Sequence, residues 1–119
     1  KKSIKDSLLV TGGPKQASKK KNEIFSEYIR ISNKVTNIRK FGSAALDMAL
    51  VASGRCDGYW QRELKYWDVA AGIVIVKEAG GFVDFFENDN DSPLKKNVLA
   101  TNSLIHEELK GLIEKKDIE

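Results

Sequence analysis

The stretch from Trp67 to Gly81 carries the residue best suited to chemistry. It reads Trp-Asp-Val-Ala-Ala-Gly over 67–72 and Glu-Ala-Gly-Gly over 78–81. Asp68 falls in the first turn of a predicted helix, where its carboxylate can point out of the helix end toward a cation. Carboxylates at helix starts are also common capping groups, and spacing alone favours capping over metal binding. We expect Trp67 to anchor this helix end by burial.

Two shorter stretches could form other walls of a site. Gly42 and Ser43 precede a predicted helix, and a glycine there exposes backbone N–H groups that can receive an anion or a substrate hydroxyl. A simple strand-to-helix turn explains the same pattern. Gln61 follows the aromatic pair Tyr59 and Trp60. This segment is either the rim of a pocket or a core pair beside a surface glutamine.

The other residues with reactive side chains give little indication of a function. His106 is the only histidine and is predicted on an outer helix without a functional role. Cys56 is the only cysteine, so no internal disulfide and no zinc site of several cysteines can form, and a cytoplasmic location is favoured. Asp89 and Asp91 resemble half a calcium loop, but the glycine and glutamate that complete such loops do not follow. Walker A, dinucleotide-binding and nucleophile-elbow motifs are absent from the sequence.

The hydrophobic pattern predicts alternating strands and helices around these residues. Strands are expected at 7–11, 35–41, 82–86 and 97–101, with a short aromatic run at 59–60. Helices are expected at 18–33, from Ser43 to Gly54, from Trp67 to Ala79, and after Ser103 as a cap. The core face predicted for the third helix is Trp67, Ala70, Ala71, Val74, Ile75 and Ala79. The alternation indicates an α/β fold with a mixed or parallel sheet flanked by helices.

Length and composition favour one ordinary globular domain. The chain has 119 residues, of which 41% are hydrophobic and 31% charged. It contains no apolar run of the roughly 18–20 residues that a membrane-spanning helix needs. The chain begins at Lys1 and its only methionine is Met48. We therefore expect it to be a piece of a longer protein, with an exposed interface toward the rest.

Positive charge is concentrated near the amino terminus. Residues 1–40 contain 11 Lys and Arg against 3 Asp and Glu, and the densest cluster is Lys15, Lys19, Lys20 and Lys21. Such a cluster is either a patch for nucleic acid or another polyanion, or a solvated helix start or loop. Aromatic residues do not alternate with these lysines, as they do in single-strand binders. This absence favours the solvated helix start or loop.

Taken together, these stretches resemble the C-terminal half of the inositol monophosphatase family. The resemblance is carried by residues 38–48 (IRKFGSAALDM), by 52–60 (ASGRCDGYW) and by the WDVAAG and EAGG elements at 67–81, which match the family's second signature. Residues 97–102 (NVLATN) match its closing strand. The resemblance covers essentially the whole chain. It implies that residues 1–119 form the C-terminal, substrate-side domain of a layered α/β/α/β/α fold.

The resemblance implies Mg²⁺-dependent hydrolysis of a phosphate monoester, such as inositol monophosphate or a related sugar or polyol phosphate. Asp68 would bind the metal and touch a substrate hydroxyl, and no other catalytic residue is expected in this half. Backbone groups of Gly42, Ser43 and Ala44 would line the substrate. Gln61 stands where the inositol enzymes carry a glutamate. Because an amide cannot accept from two hydroxyls as a carboxylate does, inositol itself is the less favoured substrate.

The family's first signature, an Asp-Pro-(Ile/Leu)-Asp-Gly-Thr element that supplies most metal ligands, is absent from the sequence. We therefore expect the chain alone to be inactive and the longer parent protein to be active. The fold also serves sugar and nucleotide bisphosphatases. The resemblance further implies a homodimer. In bacterial members, it allows a role as a binding partner of RNA polymerase or in ribosomal RNA maturation.

Overall fold

The computed structural model describes residues 3–13, 18–87, 95–102 and 104–114. After a short 3₁₀ turn, Ile4–Asp6, the elements are β1 Leu8–Thr11, α1 Lys21–Ser32, β2 Asn37–Arg39, α2 Ala44–Ala52, β3 Gly58–Lys65, α3 Tyr66–Glu78, β4 Phe82–Phe85, β5 Lys95–Thr101 and α4 His106–Glu114. This order confirms the predicted alternation. Lys15, Asp89, Asp91 and the predicted Ser103 cap lie outside the described residues.

The strands form one mixed five-stranded sheet in the order β2-β1-β3-β5-β4. The strand β1 pairs in parallel with both β2 and β3. The strand β5 pairs antiparallel with β3 and β4. Parallel neighbours need a crossover connection, and the helices α1 and α2 lie within the two connections among the three parallel strands. The mixed sheet flanked by helices is the fold class that the sequence predicts.

Each face of the sheet is covered by a pair of helices, and each pair encloses its own core. The helices α1 and α4 contact each other on one face, and α2 and α3 contact each other on the opposite face. The first core contains Ile4, Leu9, Ile31, Val35, Trp60, Phe86, Leu99, Ile105, Leu109 and Ile113. The second contains Val10, Met48, Val51, Cys56, Tyr59, Leu64, Val69, Val76, Val98 and Ala100. Among the described residues, no helix has the length and apolar character needed to cross a bilayer.

The helix α3 buries a different face from the predicted one. Its buried residues are Val69, Gly72 and Val76, whereas Val74 and Ile75 are exposed. A Cβ at position 72 would lie 2.6 Å from the Sδ of Met48, so the glycine permits the close approach of α2 and α3. Periodicity could not select this face because the helix is apolar on all sides from 69 to 76.

The prediction that Trp67 anchors the start of α3 by burial is wrong. Its side chain is 61% exposed. The ammonium of Lys65 lies over the indole, 5.6 Å from the ring centroid. The ring therefore makes a cation–π contact at the surface and does not pack in the core.

The strand β3 is longer than the predicted aromatic run and contains a bulge. Its pairing register with β5 shifts between Gln61 and Leu64, and Glu63 has a positive φ of 64°. The side chain of Asn97 holds the irregular segment, because its Oδ1 accepts a hydrogen bond from the Glu63 N–H at 2.9 Å. Bulges are frequent beside functional sites because they change the direction of side chains. Here the bulge directly follows Gln61.

Candidate functional site

One open cleft brings together all five residues that the sequence analysis assigned to a site. Its walls include Gly42, Ser43, Ala44, Gln61 and Asp68, and the cleft encloses about 480 Å³. The remaining lining residues are Gly12, Gly13, Ala45 and Leu64. The cleft lies where β1 ends and where α2 and α3 begin. Ligands of α/β proteins commonly bind at such carboxyl ends of parallel strands.

The start of α2 forms one wall through its backbone. Gly42 has φ +81°, a conformation that favours glycine, and directs the chain into the helix. Ser43 is the N-cap, and its Oγ accepts a hydrogen bond from the N–H of Leu46 at 3.2 Å. Ala44 and Ala45 follow in the first turn, whose N–H groups have no intrahelical partner. The segment is thus a capped strand-to-helix turn, and it also presents N–H donors to the cleft.

Asp68 forms the opposite wall and does not cap its helix. It is the third residue of α3, whose N-cap is Lys65, and no side chain caps this helix start. Its exposed carboxylate accepts no hydrogen bond from any residue within the described ranges. The capping interpretation is therefore wrong, and the carboxylate is open to a cation or a substrate. Within those ranges, no group of three or more His, Cys, Asp or Glu is arranged to hold a metal ion.

Tyr59 and Gln61 connect the core to the cleft. Both lie on the α2–α3 face of β3, since side chains two residues apart share a face. The buried Tyr59 donates a hydrogen bond from its Oη to the Oε1 of Gln61 at 2.5 Å. Trp60 points to the opposite core, where its Nε1–H is bonded to Glu27 Oε1 at 3.1 Å. Hence the aromatic pair belongs to the two cores, and Gln61 is the member that reaches the cleft.

Burial raises the pKa of Tyr59 strongly, and the negative charges of Asp47 and Asp68 raise it further. The phenol therefore stays protonated and acts as a hydrogen-bond donor throughout the ordinary pH range.

A buried acid near the site was missed by sequence reasoning. Asp47, in α2, is 1% exposed, and within the described ranges neither of its carboxylate oxygens has a hydrogen-bond partner. Burial raises its pKa from 3.8 to about 6. The sequence contains one usable indication of this environment, because Asp47 is the only charged residue between Ala44 and Ala52.

His106 is the first residue of α4, which confirms its predicted placement on an outer helix. The side chain is 3% exposed and lies between two partners. Thr101 Oγ1 is 2.8 Å from its Nδ1, and Asp84 Oδ2 is 2.7 Å from its Nε2. The hydrogen bond from His106 lowers the pKa of Asp84. Because Thr101 is fully buried, this arrangement cannot present a nucleophile to a substrate.

The described part of the lysine cluster lies at the start of α1. Lys19 is exposed, Lys20 is the N-cap residue, and Lys21 is the first residue of the helix. The Oγ of Ser18 accepts a hydrogen bond from the N–H of Lys20 at 3.0 Å. This is the geometry expected for the solvated helix start.

The sheet and its two helical layers define an α/β protein with an open cleft beside the starts of two helices. The family model described as "Inositol monophosphatase family" matches residues 1–117, so the chain belongs to that family. This confirms the resemblance carried by the WDVAAG and EAGG elements.

Individual relatives agree with this assignment. The chain is 43% identical over 107 residues to an inositol-1-monophosphatase of Synechocystis, covering 90% of this chain and 37% of the relative. It is 39% identical over 109 residues to the Nus factor SuhB of Haemophilus influenzae, covering 92% and 41%. The crystal structure of the extragenic suppressor protein suhB from Bartonella henselae superposes with a TM-score of 0.83 at 42% identity, covering 94% and 43%. The chain thus spans about two-fifths of the length of these relatives.

Proposed function

We propose that this chain is the C-terminal, substrate-side part of a magnesium-dependent phosphomonoesterase. Its substrate would be inositol monophosphate or a related sugar or polyol phosphate. The observation that carries the proposal is the cleft, in which the carboxylate of Asp68, unpaired within the described ranges, faces the N–H groups at the start of α2. Membership of the inositol monophosphatase family supports the same reaction class.

The residues of the cleft fit part of a magnesium site. Mg²⁺ prefers oxygen ligands and is commonly held by one or two carboxylates together with substrate phosphate. Asp68 can supply one such carboxylate, and the described ranges provide no cluster that completes the site. When bound, the ion would polarise the phosphate and help to generate the attacking water. The N–H groups of Ala44 and Ala45 would hold phosphate oxygens or a substrate hydroxyl.

We propose that the remaining ligands come from polypeptide outside this sequence. We propose that this additional layer covers the outer surface of α2 and α3. Large apolar side chains are exposed there, namely Leu46, Trp67, Val74 and Ile75. Contiguous exposed apolar surface is typical of an interface. The relatives are more than twice as long as this chain, so they contain enough polypeptide for such a layer. The 119-residue chain by itself should therefore not hydrolyse phosphate esters.

The test compares the 119-residue chain with the longer protein, each with Mg²⁺ and a panel of phosphorylated polyols, sugars and nucleotides. We expect turnover by the longer protein alone. In that protein, Asp68→Asn should reduce kcat/KM at least about 100-fold, because a neutral amide replaces a charged metal ligand. Asn33→Asp, at the exposed end of α1, is a control for the mutagenesis. Robust hydrolysis by the 119-residue chain would contradict the proposal that the other metal ligands lie outside this chain. Full activity of the Asp68 variant would contradict its role.

A second candidate function is binding to RNA or RNA polymerase. It is favoured by the similarity to the relative named Nus factor SuhB and by the positive charge of residues 1–40. If it holds, binding should weaken steeply with salt, and charge reversal at Lys19, Lys20 and Lys21 should abolish it. Salt-independent binding, or binding that survives charge reversal, would exclude this surface. A homodimer and a cytoplasmic location stay predictions from the sequence.

A further inference from the structure

The bulge of β3 changes which face of the sheet the end of this strand presents. Pairing with β5 is regular up to Gln61 and resumes at Leu64. Between these points β3 has two residues, Arg62 and Glu63, whereas β5 has one, Asn97. Side chains alternate along a regular strand, so residues three positions apart would point to opposite faces. The extra residue reverses this rule, and Gln61 and Leu64 both line the cleft.

The same bulge determines where α3 begins and therefore where Asp68 lies. The strand ends at Lys65 and the helix starts at Tyr66, so no loop separates the two elements. Asp68 follows Glu63 by only five positions. Without the extra residue, the last residues of β3 would exchange faces, and the chain would enter α3 from the other side of the sheet. The bulge thus directs Asp68 to the cleft.

The bulge contains a strained backbone conformation. Glu63 has φ 64° and Glu87 has φ 45°, and no other non-glycine residue in the described ranges has a positive φ. Residues with a side chain rarely adopt this conformation, because the Cβ atom comes too close to a carbonyl oxygen. Such conformations persist where surrounding groups hold them, and they are frequent at functional sites.

The side-chain amide of Asn97 holds both strained residues. Its Oδ1 accepts a hydrogen bond from the Glu63 N–H at 2.9 Å. Its Nδ2 donates to the carbonyl oxygens of Phe86 and Glu87, each at 2.9 Å. These partners fix the orientation of the amide, because a rotation by 180° would set its NH₂ against the Glu63 N–H and its oxygen against two carbonyls. The side chain is 8% exposed, so water cannot easily replace these partners.

The other bulge residue, Arg62, is held by two carboxylates. Its guanidinium lies 2.8 Å from an oxygen of Glu27, whose side chain is 2% exposed, and 2.9 Å from an oxygen of Glu87. Both residues of the bulge are therefore fixed from outside β3, Arg62 through its side chain and Glu63 through its backbone N–H. Asn97 is the residue that controls the strained backbone.

We infer that Asn97 is a positioning residue, which sets the place of the Asp68 carboxylate in the cleft by holding the bulge of β3. Asn97 is not among the residues that line the cleft, so it acts through the backbone of β3. The contribution that matters for the site is the acceptor for the Glu63 N–H. This inference rests on the proposed function, because the role given to Asp68 is that of a metal ligand.

The experiment measures Mn²⁺ binding to the longer protein by electron paramagnetic resonance, without substrate. Mn²⁺ takes the same oxygen ligands as Mg²⁺, and Asp68→Asn identifies the site that needs this carboxylate. Asn97→Ala should weaken that site about 10-fold or more, since groups that orient metal ligands typically contribute about 10–100-fold to metal affinity. In the metal-free protein, the ¹⁹F resonance of 5-fluorotryptophan at Trp67, the neighbour of Asp68, should shift in Asn97→Ala. Asn97→Ser, with a side chain one atom shorter than the amide, takes its place if Asn97→Ala does not fold.

Two second substitutions distinguish positioning from a general loss of stability. Glu63→Gly, added to Asn97→Ala, should restore the metal affinity to within about 3-fold of wild type, because glycine adopts a positive φ without being held. Gly111→Ala, added instead, stabilises α4 at a position where no atom lies within 4 Å of the new methyl group, and it should restore nothing. Asn33→Ala makes the same change as Asn97→Ala at the exposed end of α1 and should leave metal affinity and the ¹⁹F resonance unchanged.

The outcomes separate this inference from the proposed function. An unchanged Mn²⁺ affinity in Asn97→Ala, or a loss that Gly111→Ala reverses as well as Glu63→Gly does, overturns the inference and leaves the phosphatase function standing. If Asp68→Asn does not weaken Mn²⁺ binding, the proposed function fails, and the ¹⁹F resonance of position 67 then decides the inference. A shift in Asn97→Ala that Glu63→Gly reverses supports the positioning role. An unshifted resonance, or a shift that Glu63→Gly does not reverse, overturns it.

Discussion

Replacing Asp47 by asparagine should stabilise the protein at neutral and alkaline pH. The Asp47 side chain is 1% exposed and, within the described ranges, unpartnered, and burial raises its pKa from 3.8 to about 6. A shift of about 2 pH units corresponds to about 3 kcal/mol that the folded state loses when the carboxyl ionises. Between pH 4 and 6 the folded state binds more protons than the unfolded state. Stability due to this group therefore falls as the pH rises through that interval.

Asp47→Asn keeps the shape of the side chain and removes its ionisation. We expect the free energy of unfolding at pH 8 to rise by about 2–3 kcal/mol, and the gain to approach zero near pH 4, where the wild-type carboxyl is already neutral. Urea unfolding of both proteins at intervals from pH 4 to 8 measures this difference. Asp6→Asn, at an exposed position, controls for the change in net charge. A gain that does not vary with pH, or a loss of stability at pH 8, would refute the reasoning.

Two further predictions concern packing and a buried polar contact. Gly72→Ala should lower the free energy of unfolding by about 1–3 kcal/mol in the same urea assay, because the new methyl group would overlap Met48. Gly111→Ala is the control, because no atom lies within 4 Å of the added methyl group, and it should raise the free energy of unfolding by about 0.5–1 kcal/mol. Asp84→Asn should lower Tm at pH 7, because the ionised carboxylate is stabilised by His106 and its pKa is lowered. That contribution is lost as the pH falls through the lowered pKa, so an equally large Tm difference at pH 2 and pH 7 would contradict it.

Local sequence patterns predicted the elements and the site residues well where all the interactions that form a feature lie within one short segment. Ser43 caps α2 because a serine hydroxyl can accept from an N–H three residues ahead, and Gly42 supplies the conformation before it. The alternation of apolar segments predicted the mixed sheet and its helical layers. The second-signature element at 67–81 led to Asp68, which lines the cleft without a partner from the described residues.

Tertiary contacts decided which side chains are buried where the local sequence pattern is compatible with more than one arrangement. The apolar helix α3 has no single hydrophobic stripe, so its contact with Met48 through Gly72 selected the buried face and left Trp67 exposed.

His106 is buried because Thr101 and Asp84 converge on its ring from two strands. The sequence by itself therefore determined which segments form the site and the chemical groups they carry. The tertiary structure alone fixed where the Gln61 amide lies, because the amide packs against Gly12, 49 residues away in the chain.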